Sequence, residues 1–374
     1  MKNRSFRARV CAVLLVFFAA VFLLPAARTG DTRLYTLAAA VPCVILLLLL
    51  LPSGLIALDR PLLAASLPLC AFGIMAPAAV FPDEAVAQGL RCLPALMFLL
   101  GGCVLVRSFR PSLPSAAVSA ACALGVLSAP LLFPSSFLSL AESAGVLLLI
   151  AVASFLSLRL RLPALLLSLT GLALMLIRQE TGAAAVWGAA CVLIFWAASD
   201  SMLWFLLSLV LCGGLFAGSF IFSPVAAAAA PDSLLQSLSS MPLILPEFPG
   251  ETASAPADSL FILLGRHFGL VFLLCALLLL CMLLVRAASL ALHTRKSFHA
   301  SLSLGALLLI GLKGLFFMLS LAGLLPFSQG SFPFITSSLP ELCTEFFLLG
   351  ILSGVSARNE ADLAEDARLS MLAH

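Results

Sequence analysis

Charge is what this sequence lacks. Of 374 residues only 10% are Asp, Glu, Lys or Arg while 63% are hydrophobic, against about a quarter charged in an ordinary soluble domain. So few charges cannot cover a water-exposed surface, which excludes a soluble fold. The eleven cysteines, from Cys11 to Cys343, include no CxxC pair and no His-rich neighbourhood. That pattern argues against a disulfide frame or a zinc site and leaves them as small apolar core residues. No phosphate-cradling P-loop is present, so an ATP-driven pump is disfavoured. The formal charge of +3 is too small to suggest a nucleic-acid partner.

What is there is a series of apolar blocks, each long enough to cross the hydrocarbon core as a helix of about 20 residues or somewhat fewer. They fall near residues 10–27, 34–57, 61–81, 92–106, 115–133, 143–157, 162–177, 181–199, 201–223, 259–286, 300–325 and 339–356. Runs such as Val44 to Leu51 do not alternate, so the expected fold is an all-α polytopic membrane bundle of about twelve spans rather than a β-barrel. With a cytoplasmic N-terminus, fourteen Lys and Arg fall in inside segments, among them Arg60, Arg107, Arg110, Arg159, Arg161, Arg286, Arg295, Lys296 and Arg358. Five fall outside: Arg28, Arg33, Arg91, Arg178 and Arg266. The positive-inside bias therefore places both termini in the cytoplasm. Met1 to Arg9 and the apolar run ending at Pro25-Ala26-Ala27 also have the form of a secretory signal peptide; the twelve-span count requires the segment to be retained.

The longest extramembrane segment, about Pro224 to Asp258, is expected on the outer face. It carries Asp232, Glu247, Glu251 and Asp258 with no Lys or Arg, and six prolines that argue against one continuous helix. Ser233 to Met241 has the composition of a short interfacial helix.

Four short motifs lie along the chain in a suggestive order. They are Ala141-Glu142-Ser143-Ala144-Gly145, Arg178-Gln179-Glu180-Thr181-Gly182, the run from Asp258 to Gly269 (D-S-L-F-I-L-L-G-R-H-F-G), and Gly323-Leu324-Leu325-Pro326 followed by Phe332-Pro333-Phe334-Ile335-Thr336. They resemble S-E-L-A-K, Q-P-D-x-G, D-F-I-F-A-x-x-G-E-E-L-G and G-L-L-P…L-P-F-L-S of the SEDS family (FtsW/RodA/SpoVE), the peptidoglycan polymerases. The resemblance implies a ten-span core over about residues 59–356, two extra N-terminal spans within residues 1–58, and a cytoplasmic tail at 357–374. The chain departs from the family in three places. Gly145 stands for the Lys of S-E-L-A-K, Arg266-His267 for the Glu pair, and Thr336 to Glu341 for S-Y-G-G-S-S.

The activity this implies is glycosyl transfer between lipid II molecules at the outer face of the bacterial cytoplasmic membrane, with a class B penicillin-binding protein as partner and membrane lipids around it. A non-enzymatic scaffold and a flippase of lipid-linked sugars are the competing expectations. In the first reading Asp258 is the general base that takes the acceptor hydroxyl's proton; its structural alternative is an N-cap, for which Pro256-Ala257-Asp258-Ser259 is well suited. Arg266 and His267 are candidates to meet the leaving pyrophosphate, or else a snorkelling Arg and a core His. Glu142 and Glu180 are candidates to bind substrate or a divalent cation, or to pair with Arg178 or Arg266. No other cofactor is expected. Lys313, alone inside the apolar run Ala306 to Phe317, must face a polar partner such as the pyrophosphate or Glu142.

Overall fold

The structure, a computed structural model, describes residues 32–50, 58–78, 81–132, 140–199, 201–222, 260–325 and 330–372, with isolated positions 19, 23, 26, 27, 30 and 327. Among the described residues there are twelve helices: α1 (Thr32–Leu50), α2 (Arg60–Ala78), α3 (Pro82–Ser108), α4 (Leu113–Leu132), α5 (Ala141–Ser157), α6 (Arg161–Ile177), α7 (Thr181–Ala198), α8 (Met202–Phe222), α9 (Leu260–Phe268), α10 (Leu270–His293), α11 (Ser297–Leu321) and α12 (Leu339–Leu372). They contain no strand; one isolated bridge joins Phe332 to Ile335. Eight helices are long and apolar enough to cross a membrane, and α5 and α6 are shorter apolar helices of 17 residues. The protein is a polytopic helical membrane protein.

The expected spans from 34–57 onward coincide with described helices, with three differences. Helix α3 starts ten residues earlier than expected, because Pro82 supplies a fixed φ at its first turn and Asp83 and Glu84 favour that end of a helix. The span expected over 259–286 is broken at Gly269, whose φ of 94° ends α9 and restarts the chain as α10, which runs on to His293; only glycine adopts that conformation at low cost. Helix α12 does not stop near residue 356 but continues to Leu372. The expected span at 10–27 falls almost wholly outside the described residues, as do the loop Pro224 to Asp258 and the interfacial helix Ser233 to Met241.

Helix α5 is the centre of the bundle. It is buried along nearly its whole length and packs against α4, α6, α11 and α12, so it need not match the thickness of lipid. Helices α3 and α12 make the most extensive pairing, through small residues. A Cβ added at Gly350 would collide with the carbonyl of Leu99, one at Gly102 with the carbonyl of Phe347, and one at Gly354 would come within 2.9 Å of Val106. Such small-residue contacts let two backbones approach where the apolar medium supplies no drive for side-chain burial.

The alternation of helices defines two ends. At one, α2 begins, α5 ends and α10 meets α11; here Arg286 grips Asp59 through Nη2 at 2.7 Å and Nε at 3.3 Å, while Ser356 donates to the same carboxylate at 2.6 Å. Three helices, α2, α10 and α12, are thereby tied at that end. At the other end α11 finishes, α5 and α12 begin, and residues 330–338 fold back against α2 and α3.

Candidate functional site

Lys313 lies eight residues before the end of α11, roughly 12 Å along the axis at 1.5 Å per residue, and its side chain is 5% exposed. Its ammonium has three hydrogens. Each has a carboxylate to meet: Glu142 Oε2 at 2.8 Å, Glu341 Oε2 at 3.1 Å and Glu345 Oε1 at 2.9 Å. The first comes from the opening turn of α5. The other two are one helical turn apart at the start of α12, so the four-residue spacing puts both on one face. Charge enclosed in this way is tolerated because the partners are close and two of them, Glu341 and Glu345, are themselves hydrogen-bonded.

Those further bonds reach the segment between α11 and α12. Glu341 Oε2 also accepts from the hydroxyls of Ser331 and of Thr336, the latter at 3.1 Å. Glu345 uses its second oxygen, Oε2, to accept the backbone N–H of Phe334 at 2.7 Å. Phe332 to Ile335 forms a tight turn closed by Ile335 N–H donating to the Phe332 carbonyl at 3.0 Å, with Pro333 at its second position and Phe334 at its third. Phe334 has a φ of 63°. A positive φ at the third position is the type II pattern, which favours glycine and is unusual for a bulky residue. Three contacts hold it: the Glu345 bond, edge-on packing of its ring against Phe346 with centroids 5.6 Å apart, and the close seat of its carbonyl on Gly73, where an added Cβ would come within 3.2 Å. Helix α3 fastens the next residues, Gln88 Nε2 donating to the Thr336 carbonyl at 2.5 Å and Arg91 Nη1 to that of Ser337 at 3.1 Å.

Two small cavities flank the cluster. One of about 40 Å³ lies between α5, α6, α7, α11 and α12, with Gly145, Met175, Trp187, Lys313 and Glu345 in its wall. The other, about 90 Å³, is lined by Leu260, Ser331, Thr336 to Ser338 and Glu341. Each has room for a few waters.

The residues singled out in the sequence separate into groups. Lys313 and Glu142 are brought together. Glu180 is elsewhere, at the turn between α6 and α7, where it pairs with Arg178 at 2.6 Å. Arg266 is exposed and His267 buried on α9, and no described contact joins either to Lys313. Asp258 lies outside the described residues; Leu260, two residues on, lines the second cavity. Among the described residues no group of three or more His, Cys, Asp or Glu is arranged to hold a metal ion; the three glutamates surround an ammonium instead.

No family model matches the chain, and no curated protein matches it. A solved structure does: a chain from work described as "Structural coordination of polymerization and crosslinking by a peptidoglycan synthase complex". The two superpose with a TM-score of 0.59 and 18% identity, over 81% of this chain and 99% of that chain. The fold is shared. Nearly the whole of that chain is matched, so the described bundle is the same architecture rather than a common fragment of it.

Sequence reasoning missed Glu341, Glu345 and Ser331. The available signal was Lys313 itself: a lone ammonium in an apolar run demands carboxylates, and Glu341 and Glu345 are the one acidic pair at helical spacing close to the start of a neighbouring span.

Proposed function

We propose that this protein is a membrane-embedded glycosyltransferase of peptidoglycan synthesis, joining lipid II units at the outer face of the bacterial cytoplasmic membrane beside a class B penicillin-binding protein. The observation that carries the reading is the shared fold with a chain of a peptidoglycan synthase complex, along 99% of that chain. The four motifs that resemble the SEDS family support it. The basic residues Arg60, Arg107, Arg286, Lys296 and Arg358 all belong to the end of the bundle opposite Lys313, which by the positive-inside bias makes the Lys313 end the outer one.

In this reading Asp258 is the base. As the acceptor hydroxyl attacks the anomeric carbon and the lipid pyrophosphate leaves, the carboxylate takes the hydroxyl proton. Asp258 precedes Leu260, in the wall of the polar cavity beside Ser331 and Glu341, by two residues. Arg266, exposed on α9, is the cation offered to the leaving group. Lys313 has a different task, because its three hydrogens are already committed: it positions Glu341 and Glu345, and through them residues 331–336. A catalytically silent scaffold is the second reading, favoured by that same closure of Lys313 upon itself.

Polymerisation of labelled lipid II by the purified full-length protein, with and without its penicillin-binding partner, tests the proposal. Glycan strands are expected from the native protein and none from Asp258→Asn, which keeps much of the N-capping ability but is not a base. Strands at an undiminished rate from the Asn variant would reduce Asp258 to a cap; none from the folded native protein under either condition would leave the scaffold.

A further inference from the structure

The end of the bundle away from Lys313 carries a groove of a different character. It is open to its surroundings, measures about 500 Å³ and is lined by Arg159, Leu160, Arg161, Leu162, Pro163 and Trp204. Arg159 and Leu160 come from the turn between α5 and α6, Arg161 to Pro163 from the first turn of α6, and the tryptophan from the first turn of α8. We propose that this is a binding site for the phosphate headgroup of an anionic phospholipid, with Arg159 and Arg161 as the cations and Trp204 as the wall.

The turn itself is a Schellman closure. Arg159 N–H donates to the Leu156 carbonyl at 3.0 Å and Leu160 N–H to that of Phe155 at 2.9 Å. The same pair of bonds ends α11, where Gly323 and Leu324 donate to Ser320 and Leu319 at 2.9 and 3.0 Å. The residue after the cap must be left-handed in this motif, and glycine fills it at α11 with a φ of 70°. At α5 the position is held by Arg159 at a φ of 59°, although an L side chain there is disfavoured. Gln179 fills the same position after α6, also at a φ of 59° with the same pair of bonds, so the turn admits a long polar side chain at the cost of strain, and what sets Arg159 apart is the groove it lines.

Its surroundings define the ligand. Among the described residues no carboxylate lies within ion-pair distance of Arg159. Leu158, Leu160 and Leu162 are 37%, 37% and 56% exposed beside it, an apolar surface suited to acyl chains and poorly suited to a soluble ligand. Two of the chain's three tryptophans, Trp196 and Trp204, sit at this end, with Trp196 against Phe205 at 6.1 Å. Tryptophan marks the headgroup level of a bilayer, and basic pockets between spanning helices at that level take anionic headgroups.

The test uses the full chain in phosphatidylcholine nanodiscs carrying a small fraction of brominated lipid, which quenches nearby indole fluorescence. The Trp204 share is the difference between the protein and Trp204→Phe. Brominated phosphatidylglycerol should quench that share at a mole fraction at least about fivefold lower than brominated phosphatidylcholine, since each arginine near a membrane surface is worth roughly that factor for an anionic lipid. The preference should fall in Arg159→Gly while the melting temperature holds or rises, because glycine relieves the left-handed residue. Excess soluble glycerol phosphate should leave it unchanged. Equal quenching by the two lipids, or a preference retained in Arg159→Gly and also in Arg161→Gln, would overturn the proposal; loss of the preference to glycerol phosphate would assign the site to a soluble anion instead.

Discussion

Glu345 stands between Lys313 and Phe334: one carboxylate oxygen receives the ammonium at 2.9 Å and the other receives the backbone N–H at 2.7 Å. A buried charge and an unusual backbone conformation are thus held by the same side chain. The amide of Glu345→Gln must turn its NH₂ toward one of these two donors, whichever way it is flipped, so one bond is lost and one kept. Glu345→Leu loses both. The Gln variant should cost about 1–3 kcal/mol and the Leu variant about twice that. Protease cleavage within residues 330–338 should rise in the same order. Equal thermal unfolding of Gln and Leu variants would show that Phe334 does not depend on the carboxylate.

The contact between α3 and α12 makes a second, independent demand. Gly350 faces the Leu99 carbonyl with no room for a methyl group. Gly350→Ala should force the helices apart and lower stability by about 1–3 kcal/mol, the usual penalty of overpacking. Gly213 on α8, where an added Cβ meets nothing within 4 Å, is the control. Alanine there should leave the melting temperature unchanged or raise it, because glycine is a poor helix former. Comparable losses at both glycines would point to helix propensity rather than packing.

At the opposite end, Asp59 is buried and receives Arg286, Ser356 and the N–H of Leu62. Asp59→Ala removes the cap of α2 and the bonds from Ser356 and Arg286, whose partly exposed guanidinium can turn to water, for an expected loss of about 2–3 kcal/mol. Ser356→Ala, which removes one of several bonds, should cost about 1 kcal/mol. Unfolding of the two variants in the same detergent separates the ion pair from the hydroxyl; a Ser356→Ala loss as large as that of Asp59→Ala would contradict this assignment.

The helices were readable because apolar runs and their spacing reflect a local rule: backbone groups in lipid must be satisfied within the segment. Lys313 was readable for the same reason, as a charge where none belongs. Its partners were not. Glu142 was noticed only through the motif around it, and Glu341 and Glu345, within two turns of a span's start, look like carboxylates at the water interface. Contact between residue 313 and residues 142, 341 and 345 is a property of the packed bundle, not of any window of sequence. The break at Gly269 was hidden likewise, because an apolar run shows hydrophobicity but not the sign of φ. Phe334 is the extreme case: nothing in Phe-Pro-Phe-Ile announces a left-handed phenylalanine, and only the carboxylate and the aromatic wall around it account for one.

The last prediction exchanges the positions of a charge. Gly145, where the resembling family carries lysine, shares the wall of one cavity with Lys313 and lies three residues after Glu142 on α5. Side chains at that separation are neighbours on a helix. A Cβ at Gly145 would lie 3.9 Å from Met175 and 4.0 Å from Trp187, ordinary contacts that leave the root of a longer side chain unobstructed. Lys313→Met leaves three carboxylates facing one another without a cation and should cost about 3–5 kcal/mol. Adding Gly145→Lys to that variant returns an ammonium to the same carboxylates from the other side of the cavity and should recover at least half of the lost melting temperature. Gly145→Lys alone should be tolerated, since three carboxylates can accept a second cation. If the double variant unfolds no later than Lys313→Met, the two positions do not serve one charge site, and Lys313 acts through its own geometry.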